Sequence, residues 1–104
     1  MTKYMFAYHG GKMPESEEEG KKEMEAWGAW MQGLGDKLVE GGNPVGMSST
    51  LTSDGLKDGG GANPLSGYSI VEADSVEAAA EMGKGCPILK GGHGSIEIAP
   101  LIDM

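Results

Sequence analysis

His9 and His93 are the only two histidines in the chain. With the phenol of Tyr68 and the carboxylates of Asp54 and Asp58, they are the side chains best suited to acid–base or metal chemistry. An imidazole titrates near neutrality, and a carboxylate or phenol beside it would fix its orientation. His9 and His93 stand far from the close spacing that announces a metal site, and no metal or other cofactor is expected. Their convergence has to come from topology, and the plain alternative is a pair of solvent-facing histidines in turns. Trp27 and Trp30 could line a pocket for an aromatic ligand, although a helical apolar stripe reads first as core. Cys86 follows a helix instead of opening one, so no helix N-terminus activates it and it reads as an inert thiol. Gly59-Gly60-Gly61 lacks the Lys-Ser/Thr of a phosphate loop.

The elements that would position these residues are legible. Residues 3–9 form a strand with Tyr4, Phe6 and Tyr8 on one face and Met5 and Ala7 on the other; such a strand is central and covered on both sides. Ser16 and Glu19 make a capping box, and Glu15, Glu17 and Glu18 suit the positive end of a helix dipole. The stripe Met24, Trp27, Met31, Leu34 and Leu38 continues the helix until Gly41-Gly42-Asn43-Pro44 stops it. Residues 45–51 read as a weaker edge strand and 52–66 as the longest irregular segment. Residues 68–73 form a strand, Asp74 with Glu77 caps a helix over 75–84, and residues 95–100 alternate as a half-buried strand. The order predicts an α+β, ferredoxin-like βαββαβ fold. Its four-stranded antiparallel sheet has spatial order 4-1-3-2, with both helices on one face.

That topology puts the end of the first strand, at His9, on the same rim as the start of the fourth, just after His93. Tyr68 and the 52–66 loop with Asp54 and Asp58 fall there too. The second face of the sheet has nothing to cover it, yet the first strand is apolar on both sides. An uncovered apolar face is an association surface, and a second copy is the simplest partner. The pattern therefore predicts a homodimer.

With 104 residues the chain makes one domain, spanning 1–104, able to bury a modest core. Sixteen acids against eight lysines and no arginine leave a net charge of −8. This argues against a nucleic-acid or anionic-membrane partner. No apolar run approaches the roughly 20 residues of a membrane span. The start of the chain lacks a signal peptide's apolar core, and a lone cysteine suits the cytoplasm.

The segments Lys3-Tyr4-Met5-Phe6-Ala7-Tyr8, Asp58-Gly59 and Gly67-Tyr68-Ser69-Ile70-Val71-Glu72-Ala73-Asp74-Ser75, with Cys86-Pro87 and Gly94-Ser95-Ile96-Glu97-Ile98, resemble the YCII-related family in its DGPF branch. The resemblance implies a dimeric α+β barrel. It also implies a small organic ligand, since some related barrels act on small aromatic or chlorinated molecules. Where that branch has Pro-Phe after Asp-Gly, this chain has Gly60-Gly61. The family's helical histidine has no counterpart, since none occurs between His9 and His93, and the resemblance supplies no catalytic residue. Two functions are thus expected: a small-molecule-binding barrel using cofactor-free acid–base chemistry, or a binding or regulatory dimer without catalysis.

Overall fold

The computed structural model describes residues 1–11 and 14–103. Strand β1 (Thr2–Gly10) is followed by helix α1 (Glu17–Leu34), a 3₁₀ turn (Gly35–Lys37) and the short strand β2 (Leu38–Glu40). Strands β3 (Ser49–Thr52) and β4 (Gly55–Asp58) come next, then β5 (Leu65–Ala73), helix α2 (Val76–Gly83), a 3₁₀ segment (Pro87–Gly92) and β6 (Gly94–Pro100). Four strands make one antiparallel sheet in the order β2-β5-β1-β6, and β3 and β4 pair separately as a two-stranded ribbon.

The core lies on one face of the sheet. Tyr4, Phe6 and Tyr8 of β1 meet Val71 and Ala73 of β5, Ala79 of α2 and Cys86. Trp27, Trp30 and Leu34 of α1 pack against them, with Ile96 and Ile98 of β6. Four rings interlock: Tyr8 meets Trp27 edge-on at 5.1 Å between centroids, Trp27 meets Trp30 at 5.8 Å, and Phe6 lies stacked on Trp30 at 6.4 Å. Such aromatic pairs add about 0.5–1.5 kcal/mol each beyond the area they bury. Trp30 also donates from Nε1 to the Met82 carbonyl at 2.8 Å, satisfying one of the unpaired carbonyls at the end of α2. This bond ties the two helices together.

Both helices begin on serine caps. Ser16 Oγ accepts from Glu19 N at 3.1 Å, and the Glu19 carboxylate accepts from Glu15 N instead of closing the box on Ser16. For α2 the cap is Ser75, whose Oγ accepts from Ala78 N; Asp74, expected in that role, lies one residue too early.

Three other expectations need correction. Helix α1 ends at Leu34, because Gly35 turns to φ 56° and the chain tightens into the 3₁₀ turn. Leu38 continues the apolar spacing but reaches the core from β2, and Met24 is exposed. The second sheet strand is therefore Leu38–Glu40 and not residues 45–51, whose only ladder contact with the sheet is the adjoining Pro44–Gly67 bridge. Residues 52–66 are not all irregular: Ser53-Asp54 turns the ribbon, and β4 returns along β3. The crossing from β2 toward that bridge depends on Gly42, at φ +70°, where a Cβ would run into the Tyr68 carbonyl. A buried relay braces the same crossing: Tyr8 Oη donates to Ser69 Oγ at 2.8 Å, which donates to the Gly41 carbonyl at 2.7 Å.

Candidate functional site

The second face of the sheet is covered by neither helix. Alternation along β1 puts Met5, Ala7 and His9 there, opposite the core residues Tyr4, Phe6 and Tyr8. In the ladders Ala7 stands between Tyr68 of β5 and Glu97 of β6, and Met5 between Ile70 and Ala99. Ala7 is small enough to be buried between its larger neighbours. Tyr68 and Glu97 stand two strand spacings apart, about 10 Å. The result is an apolar floor of Ala7, Met5, Ile70 and Ala99 with polar groups at its margins.

His9 occupies one end of that floor and is only 7% exposed. Its Nδ1 lies 2.9 Å from the Asn63 carbonyl and 3.3 Å from that of Pro64, while Nε2 lies 2.9 Å from Glu97 Oε1. Both carbonyls can only accept, so Nδ1 carries a proton and Nε2 is the nitrogen turned to the carboxylate. A β-bulge creates this arrangement. Tyr8 pairs with Gly67 but His9 with Leu65, and the extra residue, Ser66, donates from Oγ to the Gly10 carbonyl at 2.6 Å. The irregularity bends the start of β5 and brings the 63–64 backbone to the ring. Glu97 needs no such device. It sits diagonally from His9 on the adjacent strand, with a side chain 69% exposed.

The other expected site residues fall elsewhere. His93 is exposed just before β6; its carbonyl accepts from Gly11 N at 2.9 Å, and its ring folds back toward Gly91. The groups that partner the His9 ring are the backbone carbonyls of Asn63 and Pro64 and the carboxylate of Glu97. Tyr68 shares the floor, but its hydroxyl donates to Glu40 Oε1 at 3.3 Å. Asp54 sits in the turn of the β3–β4 ribbon and Asp58 at the end of β4, both on the separate two-stranded sheet. Trp27 and Trp30 pack, partly buried, against the core cluster on the far face of the sheet, and Trp27 also lines an open groove there with Pro14 and Met24. Glu97 was not anticipated as a site residue. Its signal was present in the alternation of β6 and in the antiparallel register that sets it diagonal to His9.

Two groups of the helix-side core have perturbed acidities. Burial pushes the Cys86 thiol up to about 11, partly opposed by a hydrogen bond from the Ile88 backbone. Burial likewise raises the Tyr8 phenol, against the opposing hydrogen bond to Ser69, and the neighbouring Cys86 adds to the rise. Both groups stay neutral at physiological pH, as suits core residues. Among the described residues, no group of three or more His, Cys, Asp or Glu side chains is placed to hold a metal ion. No described helix is long and apolar enough to cross a membrane.

No protein-family model matches the chain, and no curated protein matches it.

Proposed function

We propose that this chain is a YCII-related, DGPF-like protein of ferredoxin-like topology that works in the cytoplasm as a homodimeric α+β barrel. It binds a small organic molecule between two facing sheets and transfers a proton on it through His9, with no cofactor. The observation that carries this reading is the His9–Glu97 pair on the uncovered face. The imidazole is anchored at Nδ1 by two carbonyls, and Nε2 meets a solvent-exposed carboxylate at the margin of an apolar floor. With Nδ1 donating to the carbonyls, the Nε2–Glu97 contact must also hold a proton, so the imidazole can act as a base only once Glu97 leaves with that proton and Nε2 is open to the ligand. The floor of one chain has no walls, so a second sheet is what would enclose a ligand and exclude water.

One observation favours the other reading, a binding or regulatory dimer without chemistry: both ring nitrogens of His9 already have partners. Proton transfer would require Glu97 to swing away when a ligand enters.

The tests are light scattering and isotope exchange. At micromolar concentration the scattering mass should be twice the 10.8 kDa of the chain; a compact monomer removes the barrel. Small aromatic carboxylic and carbonyl compounds are then followed by NMR in deuterated water. Exchange of a carbon-bound proton that His9→Gln abolishes while binding persists supports catalysis. Binding without exchange supports the second reading, and an absence of any binding overturns both.

A further inference from the structure

The β3–β4 ribbon pairs only with itself. All of its residues are exposed except Gly55, which is half-buried. Leu51 and Leu56 face each other across the ladder, 76% and 70% exposed, with Thr50 and Lys57 on the opposite side. Just before the ribbon, Met47 is 99% exposed. A two-stranded hairpin is at best marginally stable in water, and an amphipathic one with a bare leucine pair marks a contact surface. Its stem is fixed at the margin of the candidate site. Gly59 N donates to the Ser48 carbonyl at 2.9 Å, and a few residues later Asn63 and Pro64 hold His9.

We propose that the ribbon is an arm that seats Leu51 and Leu56 on a second copy of this chain, at the margin of the partner's uncovered sheet, so that each arm walls one side of the other protomer's His9 site. The proposal rests on the homodimer reading above and names the element that completes it. Two observations select a second copy as occupant. The chain presents two unmatched apolar surfaces, the ribbon face and the sheet face, and a twofold pair supplies each surface once to the other protomer.

Area points the same way. Four strands about 4.8 Å apart, each with about seven residues rising about 3.3 Å, project only roughly 450 Å². The face of its own ribbon adds roughly 130 Å² and brings the patch to roughly 580 Å², nearer the approximately 800 Å² per partner of a stable interface. Charge separates this occupant from a basic partner. With −8 on each chain, association has to come from apolar contact, so the pair should tighten with added salt as repulsion is screened. A basic partner would be released by salt instead.

Sedimentation across a dilution series tests the arm with wild type, L51S/L56S and Ile70→Glu, the last on the open sheet face. Both leucines are solvent-exposed in the single chain, so L51S/L56S should keep the wild-type circular dichroism. Its dimer dissociation constant should rise about tenfold or more. Backbone amides of residues 49–58 should exchange slowly in concentrated wild type and quickly on dilution. If Ile70→Glu weakens the dimer while L51S/L56S does not, the arm is wrong and the homodimer stands. A wild type that stays monomeric at every concentration and salt removes both. Binding of wild type, but not L51S/L56S, to phosphatidylcholine–phosphatidylglycerol vesicles would put lipid in place of the second copy and overturn the arm.

Discussion

Raising the pH should unlock the core from the side of Cys86 and Tyr8. The thiol is 3% exposed, and burial carries it from the ordinary value near 9 to about 11. The folded state therefore favours the neutral thiol more than the unfolded chain does. Below about pH 9 the thiol is neutral in both states and the contribution is complete. Between about pH 9 and 11 the unfolded thiol ionises while the folded one does not, and stability falls by about 1.4 kcal/mol per pH unit, or roughly 3 kcal/mol in all. The buried phenol of Tyr8 shifts in the same direction and steepens the loss above its ordinary value near 10. Urea unfolding of wild type and Cys86→Ala at half-unit steps from pH 7.5 to 11 isolates the thiol, since lysine titration is common to both. The variant should start lower by the cost of a small cavity and lose less stability over the alkaline range, the two curves converging by roughly 3 kcal/mol. Thiol labelling gives an independent check. At pH 8 a group titrating near 11 is roughly 0.1% thiolate, against roughly a tenth for a free cysteine titrating near 9, so labelling should be slower by about a hundredfold. Parallel stability curves, or labelling at the rate of a free thiol, would refute burial as the cause.

Two further outcomes follow from the packing of α1. A Cβ at Gly28 would meet nothing within 4 Å and the residue is helical, so Gly28→Ala should stabilise by about 0.4–1 kcal/mol, read as a rise in the thermal midpoint of about 2–8 °C; a fall would mean that another surface packs there. Trp30→Phe removes the donor to the Met82 carbonyl while keeping most of the ring contact with Phe6, and should cost about 1–2 kcal/mol in denaturant unfolding.

The elements legible in the sequence were those with local signals. Strand β1 showed through its two apolar faces, α2 through its alanines and β5 through its β-branched and aromatic run. Strand β2 was hidden because three residues are too few to display a period, and because Leu38 reaches the core from a strand at the spacing a helix would have used. Asp54-Gly55 was a hairpin signal between alternating residues, but its glycine-rich surroundings made it look like loop. His9 could be placed at a sheet margin from strand direction alone. Its backbone partners, the carbonyls of Asn63 and Pro64, could not, since a carbonyl is contributed by every residue and only the bulge at Ser66 brings these two to the ring.

The ribbon that leaves the sheet also changes how the molecule moves through water. The fold measures 44 × 42 × 20 Å, and its radius of gyration is 14.7 Å, where a compact chain of this length would have roughly 13 Å. Cubed, that ratio corresponds to a sphere of about half as much again in volume. A single chain would therefore elute early from a sizing column and tumble slowly in solution, passing for something between one copy and two. Elution volume and rotational correlation time would both mislead about how many chains are present, whereas sedimentation equilibrium, which depends on mass and not on drag, would not.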